Sequence, residues 1–285
     1  MENLGYYCGS YGLIEDMKIP MNDRVCYFGD GVYDATYTAN HMIFALDEHV
    51  DRFFRSAEQL NISVSFSKCE LKKLLQDMVN KVDSPEQFLY WQVTRGTAIR
   101  NHAFPEPDIP SNLWIMIKPG GIKDIYQKFK LITVEDTRFF HCNIKTLNLL
   151  PNVIAKQKAV EAGCDEAVFH RGDRVTECAH SNISIINNGV LRTAPLDNLI
   201  LPGITRGHLL DFCRENKIPV DESPFSLNDL MGADEVIVTS AGALCIAASE
   251  IDGISVGGKA PELLNILQQS ALKKFQQDTC YNSCF

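Results

Sequence analysis

No C-x-x-C pair occurs in this sequence, although it holds ten cysteines, at positions 8, 26, 69, 142, 164, 178, 213, 245, 280 and 284. The adjacent His141 and Cys142 have no second close-spaced partner pair, so no zinc site is expected. Scattered thiols in a chain this long point instead to reduced cysteines in a cytoplasm. Long apolar runs are also missing. The longest uncharged, mostly apolar stretch is Val236 to Ser249, fourteen residues, against the roughly 20 a membrane helix needs. Basic charge is in deficit, with 27 Lys and Arg against 36 Asp and Glu and a net charge of -9. That excludes nucleic acid and anionic membranes as main partners, and leaves room for a small anion in a locally basic pocket. The opening residues MENLGYYCGSYGLIEDMK show no basic stretch followed by an apolar one, so no secretory leader is expected there. Internal repeats and low-complexity segments are absent, and the tail CYNSCF is assigned no role.

One absence is local. Between Arg138 and Lys156 the only formally charged residue is Lys145, with His141 neutral. A lysine is a nucleophile only as the free amine, and apolar surroundings such as Ile144, Leu147, Leu149 and Leu150 favour that form. The alternative is a strand-end lysine with its head in water. Local sequence leaves both open.

The periodicities describe an α+β chain. Leu46, Val50, Phe53, Phe54, Ala57 and Leu60 fall at helical spacing, which predicts a helix over 47–60 after a short strand at 42–45. Ser67, with Glu70 three residues on, predicts a capped helix over 68–82. Strands are predicted at 88–94 and 113–118, separated by a proline-broken loop. PGGIK (119–123) reads as a linker between a domain at 1–118 and another at 124–285 that carries Lys145. In the second half a strand at 130–136 precedes a helix over 151–162, with Pro151 in its first turn and Gly163 past its end. Short strands follow at 166–170, 174–178, 182–186 and 190–194, joined by RGD and by the hairpin signal Asn188-Gly189. A helix starts after Leu201-Pro202-Gly203, 235–240 reads as a buried strand, and a last helix covers 260–278.

Several residues could carry chemistry. LPGITRGHLLDF feeds a glycine turn into a helix, which presents free N–H groups and a positive dipole end to an anion such as phosphate. Thr205 sits in its first turn and Arg206 adds charge, although every helix has such an end. Glu177, late in a strand of small residues, is a surface carboxylate by default or a group that holds a proton on a heterocyclic nitrogen. Arg52 is either solvated helix surface or a phosphate clamp. Arg100 and His102 lie in a loop, where an arginine can grip a carboxylate and a histidine can add a second donor. Pyridoxal phosphate needs an amine for its aldehyde, a phosphate cup and an acid opposite its ring nitrogen, and its substrate needs a carboxylate trap. Each part is present once.

The order of these motifs resembles the fold-type IV pyridoxal-phosphate enzymes, the class IV aminotransferases, and within them the D-amino acid aminotransferases. The resemblance spans essentially the whole chain. It rests on FGDGVYD (28–34), DEHVDRFFRSAE (47–58), QVTRGTAIRNHAFPE (92–106), CNIKTLNLLPNVIAKQKA (142–159), EAVFHRGDRVTE (166–177), NLILPGITR (198–206) and DEVIVTS (234–240). It implies a two-domain α+β fold, with a small N-terminal domain and a larger one built on hairpin sheets. Lys145 matches the lysine that forms the Schiff base with pyridoxal 5'-phosphate, and Glu177 the acid on the pyridinium nitrogen. Arg52, Ile204, Thr205 and Ser240 match the phosphate ligands, with the backbone of Ala241 where a hydroxyl is usual. Leu201 matches the apolar residue against the ring. Tyr33, Arg100 and His102 match the carboxylate trap, whose Arg and His reach in from a second subunit, so a homodimer is implied. Departures are Ala241–Cys245, Cys178-Ala179-His180, Asp34 for a usual Glu and Phe139 for a usual Trp.

The activity implied is transamination between a D-amino acid such as D-alanine and a 2-oxo acid such as 2-oxoglutarate, which would feed cell-wall synthesis. The same resemblance admits a branched-chain L-amino acid aminotransferase and a 4-amino-4-deoxychorismate lyase, which share the lysine and glutamate segments but lack the Arg-x-His trap. A reading of another class is a non-catalytic ligand-binding relative; retention of Lys145 with Glu177 argues against it.

Overall fold

The computed structural model describes residues 1–280; residues 281–285, with Cys284 and most of the tail CYNSCF, lie outside the described residues. The chain divides into two compact units. One comprises Met1–Gly121, Ile144–Asn148 and the chain from Phe275 on; the other comprises Ile122–Asn143 and Leu149–Lys274. The sequence reading placed Lys145 in the second domain, whereas the short segment that holds it packs with the first unit.

The first unit contains β1 (Leu4–Tyr7), β2 (Ser10–Gly12), α1 (Arg24–Phe28), β3 (Gly31–Ala39), β4 (Met42–Ile43), α2 (Leu46–Gln59), α3 (Lys68–Val79), β5 (Gln87–Thr94) and β6 (Asn112–Pro119). The strands form one antiparallel sheet in the order β2-β1-β6-β5-β3-β4. Val50, Phe53 and Ala57 of α2 are buried with Leu89, Trp91 and Ile115 of the sheet in one core. α3 starts at the expected capping box, with Ser67 and Glu70 satisfying each other's backbone N–H groups. It stops at Val79, three residues short of the sequence estimate.

β3 has no counterpart in the sequence reading. Its inward positions are Val32, Asp34, Thr36 and Thr38, and its half-buried ones include Tyr33 and Tyr37. The polar residues face in, so the alternation that marks a strand is inverted. Residues 144–148 lie along the outer edge of β3. The Tyr33 N–H donates to the Lys145 carbonyl at 3.0 Å, and the Leu147 N–H to the Gly31 carbonyl at 3.1 Å. A Cβ on Gly31 would stand 2.5 Å from the Val93 carbonyl oxygen and 2.7 Å from Leu147, so this close approach needs glycine.

The second unit contains β7 (Lys128–Glu135), α4 (Leu150–Glu161), β8 (Glu166–Arg171), β9 (Arg174–Cys178), β10 (Asn182–Asn187), β11 (Val190–Thr193), α5 (Ile204–Glu215), β12 (Val220–Asp221), α6 (Leu227–Gly232), β13 (Glu235–Thr239), β14 (Ile246–Ile251), β15 (Ile254–Ser255) and most of α7 (Pro261–Thr279). Its strands run β12-β11-β10-β13-β14-β7-β8-β9, with β15 on β14. The pairs β11/β12, β14/β7 and β7/β8 are parallel, the rest antiparallel. The turn Asn188-Gly189 has φ of 51° and 77°, both left-handed, as an NG hairpin requires. The α+β expectation holds. Among the described residues no helix is long and apolar enough to cross a membrane, and no group of three His, Cys, Asp or Glu could hold a metal.

Candidate active site

In the first unit the strand-like pairing with β3 fixes the backbone of Lys145, and its N–H also donates to Ser56 Oγ of α2 at 3.3 Å. The side chain is half-buried, and Nζ lies 4.2 Å from the centroid of the Tyr33 ring. No carboxylate among the described residues forms an ion pair with it. Tyr33 stacks on Tyr90, with ring centres 5.4 Å apart. The ring of Tyr33 thus lies against the Nζ head, and no carboxylate among the described residues pins it.

Arg52 is buried and turned onto Asp34. Its Nε donates to Oδ2 at 2.9 Å and its Nη2 to Oδ1 at 2.7 Å. His49, one turn earlier on α2, places Nδ1 2.7 Å from the same carboxylate. Burial pushes the Asp34 carboxyl up, but Arg52 and His49 outweigh burial and hold it well below the usual carboxylate range. Burial holds the His49 ring below its ordinary value against the pull of Asp34. Arg52 is therefore neither solvated surface nor a lone clamp; Asp34 grips its Nε edge and sets its orientation. Asp34 figured in the sequence only as a departure from Glu, and nothing local ties it to a residue eighteen positions on.

Arg100 and His102 lie on the exposed loop after β5. Both rest on Phe28: the Arg100 guanidinium is 5.1 Å and the His102 ring 5.2 Å from its centre.

In the second unit Glu177, near the end of β9, is 5% exposed. One carboxylate oxygen accepts from the Leu201 N–H and from Asn182 Nδ2, each at 2.9 Å, and the other from Arg138 Nη1. Asn182 also donates to the Leu201 carbonyl at 3.0 Å, so one amide ties the 201 segment to β9. Arg138 is shared. Its Nε and Nη2 reach Asp136 at 2.9 and 3.0 Å, and Asp136 also accepts from Arg171 at 3.1 Å. Burial pushes the Glu177 carboxyl up to about 7, and Arg138 pulls against that rise. Sequence reasoning missed Arg138, Asp136 and Asn182. Arg138 served there only to bound the uncharged stretch, although D-x-R at a strand end was a visible signal.

α5 begins at Gly203, which offers no side-chain cap, so the first N–H groups of the helix are open. A Cβ at Gly203 would fall 1.9 Å from Asn182 Oδ1; only glycine lets the helix start dock there. Thr205 is 5% exposed, and its Oγ1 finds no hydrogen-bond partner among the described residues. Arg206 points away, to the Ala194 carbonyl and Glu222, each at 2.8 Å. Ser240 and Ala241 follow β13, whose Thr239 is in register with Asn182; Ser240 Oγ accepts from the Ala243 N–H at 3.1 Å. Of the departures, Cys178 is buried, while His180 sets Nδ1 2.6 Å from the buried carboxylate of Glu166.

These residues fit pyridoxal phosphate. An open helix start with an orphaned, buried hydroxyl suits a phosphate. A carboxylate with about four acceptor positions, three of them filled, has one left for a protonated ring nitrogen.

The family model for amino-transferase class IV matches residues 31–251. A D-alanine aminotransferase of Listeria monocytogenes is 40% identical over 269 residues, covering 92% of this chain and 93% of that protein. One from Staphylococcus epidermidis is 38% identical over 265 residues, covering 92% and 94%. Among solved structures, the branched-chain amino acid aminotransferase of Escherichia coli superposes with a TM-score of 0.88 at 22% identity, covering 100% of this chain and 98% of that one; at that identity it speaks for the fold alone. The chain belongs to the class IV aminotransferase family.

Proposed function

We propose that this chain is a pyridoxal-phosphate-dependent transaminase acting on a D-amino acid, D-alanine foremost, and a 2-oxo acid such as 2-oxoglutarate. The observation that carries the reading is identity of 38–40% over 92% of the chain with D-alanine aminotransferases, set beside 22% with a branched-chain enzyme of the same fold. Lys145 would hold the cofactor through Nζ. Glu177 would pair with its ring nitrogen, and Leu201 would lie against the ring. Arg52, the N–H groups of Ile204 and Thr205, Thr205 Oγ1, Ser240 and the Ala241 N–H would hold its phosphate. When bound, the cofactor would supply an aldehyde for the substrate amine and an electron sink for the pair left at Cα.

The chain's own residues supply the rest. Tyr33, Arg100 and His102 fix the substrate carboxylate, which sets which bond at Cα stands beside the lysine. Lys145 Nζ, paired with no carboxylate among the described residues, removes the Cα proton. Glu177, held by Arg138, Asn182 and Leu201, keeps a proton on the ring nitrogen.

The working unit is a homodimer in a reducing cytoplasm. α4 presents Leu150, Val153, Ile154 and Val160 to solvent, each at least half exposed, a run of apolar surface that suits a second copy. The nine described cysteines are free thiols. The test is a half-reaction with single amino acids, read by loss of the cofactor absorbance. D-alanine should discharge it, and L-alanine and L-leucine should not. Discharge by L-leucine alone would move the chain to the branched-chain enzymes, and pyruvate release from aminodeoxychorismate without an acceptor would make it a lyase.

A further inference from the structure

Arg100 and His102 lie on a loop with little regular structure, yet a carboxylate trap needs both groups set to within a fraction of an ångström. The first unit contains a device that sets them. α1 is a single turn, fixed at both ends. Asp23, fully buried, accepts the Val25 N–H at 2.9 Å, Asn112 Nδ2 at 2.9 Å and Thr94 Oγ1 at 3.1 Å. Gly29 closes the other end in the left-handed region, φ 61°. Arg24 and Phe28 are four residues apart and share one face of that turn.

Arg24 is 2% exposed. Its Nε donates to Asp30 Oδ2 at 2.7 Å, and its Nη1 donates to the carbonyls of Asn101 and Ala103 at 2.7 and 3.2 Å. Those carbonyls flank His102, and Asn101 follows Arg100. The guanidinium lies 4.9 Å from the Phe28 ring centre, the ring on which Arg100 and His102 also rest. Asp30 is held from its other side by Arg95, whose Nε lies 3.0 Å from both carboxylate oxygens. A buried cation is thus spent on two loop carbonyls beside the two trap side chains.

We propose that Arg24 is a positioning residue for substrate-carboxylate recognition, forming with Phe28 the seat that orients Arg100 and His102. The inference rests on the trap role given to those two residues above. Lysine cannot replace Arg24, because one ammonium lacks the planar fork that serves Asp30 and both carbonyls together. Arg24 touches no substrate and acts through the loop.

The experiment compares cofactor-loaded wild type with Arg24→Gln, Arg24→Lys, Phe28→Leu, Arg100→Ala and the double variant Arg24→Gln/Arg100→Ala. Each is given D-alanine and D-alaninol, the same amine with a hydroxymethyl group in place of the carboxylate. The readout is the ratio of the two half-reaction efficiencies, which general damage to the fold does not move. Arg100→Ala should lower the D-alanine preference at least about tenfold, and Arg24→Gln and Arg24→Lys should lower it by about tenfold, chiefly through KM. The double variant should lose less D-alanine preference than the two single losses multiplied together, because only the seat's hold on His102 is left to lose once Arg100 is gone. Equal loss with both amines in Arg24→Gln, or full additivity in the double variant, overturns the proposal while Arg100→Ala still upholds the trap. An unchanged ratio in Arg100→Ala overturns the trap itself, and the seat with it. If Arg24→Gln does not fold, Phe28→Leu decides: it keeps the apolar volume but removes the ring, and an unchanged ratio there counts against the seat.

Discussion

Asp34 and Glu177 are both buried carboxylates with an arginine partner, yet their acidities move in opposite directions. Asp34 takes two donors from Arg52, Nε and Nη2, and has His49 at its side. Its carboxyl lies well below the usual range. Glu177 takes one donor from Arg138, whose other edge serves Asp136. Its carboxyl is pushed up to about 7. Burial is similar at the two sites, so the charges around each carboxylate make the difference: Arg52 and His49 on Asp34, against one arginine donor and the nearby Asp136 charge on Glu177. Two guanidinium donors with an imidazole beside them fix the Asp34 charge. A guanidinium shared between two carboxylates leaves Glu177 with proton affinity near neutrality, where an arriving cation can decide its state. The first pair orients Arg52, and the second leaves Glu177 able to respond to the ring nitrogen it is proposed to meet.

The largest expected effect comes from breaking the fixed pair. Asp34→Asn leaves Arg52 buried without its counter-ion, which should cost about 3–5 kcal/mol in urea unfolding at neutral pH. The folded carboxyl titrates below the ~3.9 of an unfolded aspartate. Its contribution is therefore in place above that pH and is lost as the pH falls towards the folded value. The variant should accordingly show a flatter acid limb than wild type.

Glu177→Gln should lower transamination roughly 10- to 100-fold, the range of one charge-assisted hydrogen bond. Its pH signature has the opposite sign. The folded carboxyl, at about 7, titrates above the ~4.3 of an unfolded glutamate. Its contribution to the cofactor-free protein is fully present below that lower value and is lost as the pH rises to about 7. In the variant, unfolding measured across that window should lose this decline. The smallest effect is Asp136→Asn, which releases Arg138 to Glu177. The Glu177 carboxyl should fall, and the slope of stability against pH should change by less than about 1.4 kcal/mol per pH unit; carboxyl carbon NMR reads the titration directly. If it does not fall, sharing of Arg138 is not what sets Glu177 apart.

Helices were the most legible part of the fold. α2 follows its apolar spacing to within one residue at each end, and α5 starts directly after the glycine that signalled it. β3 was illegible because Asp34, Thr36 and Thr38 face the interior, which a hydrophobic pattern cannot register. α1, a single turn, is too short to show a period. At the site, Lys145 stood out through the missing charge around it, and the 203–205 turn through its glycine. Long-range polar contacts were hidden by distance along the chain: the Arg138–Glu177 ion pair joins residues 39 apart, and the hydrogen bond from Arg24 to the Asn101 carbonyl joins residues 77 apart. Sequence spacing reports what one element contains, and it carries no mark of which distant charge will neutralise it.

The most direct test concerns Lys145. The cofactor-loaded protein is reduced with borohydride, digested and mapped by mass spectrometry. The expected result is a single pyridoxyl-labelled peptide containing position 145, absent from Lys145→Ala. A label at another lysine, or none, would contradict the assignment of this amine to the chemistry.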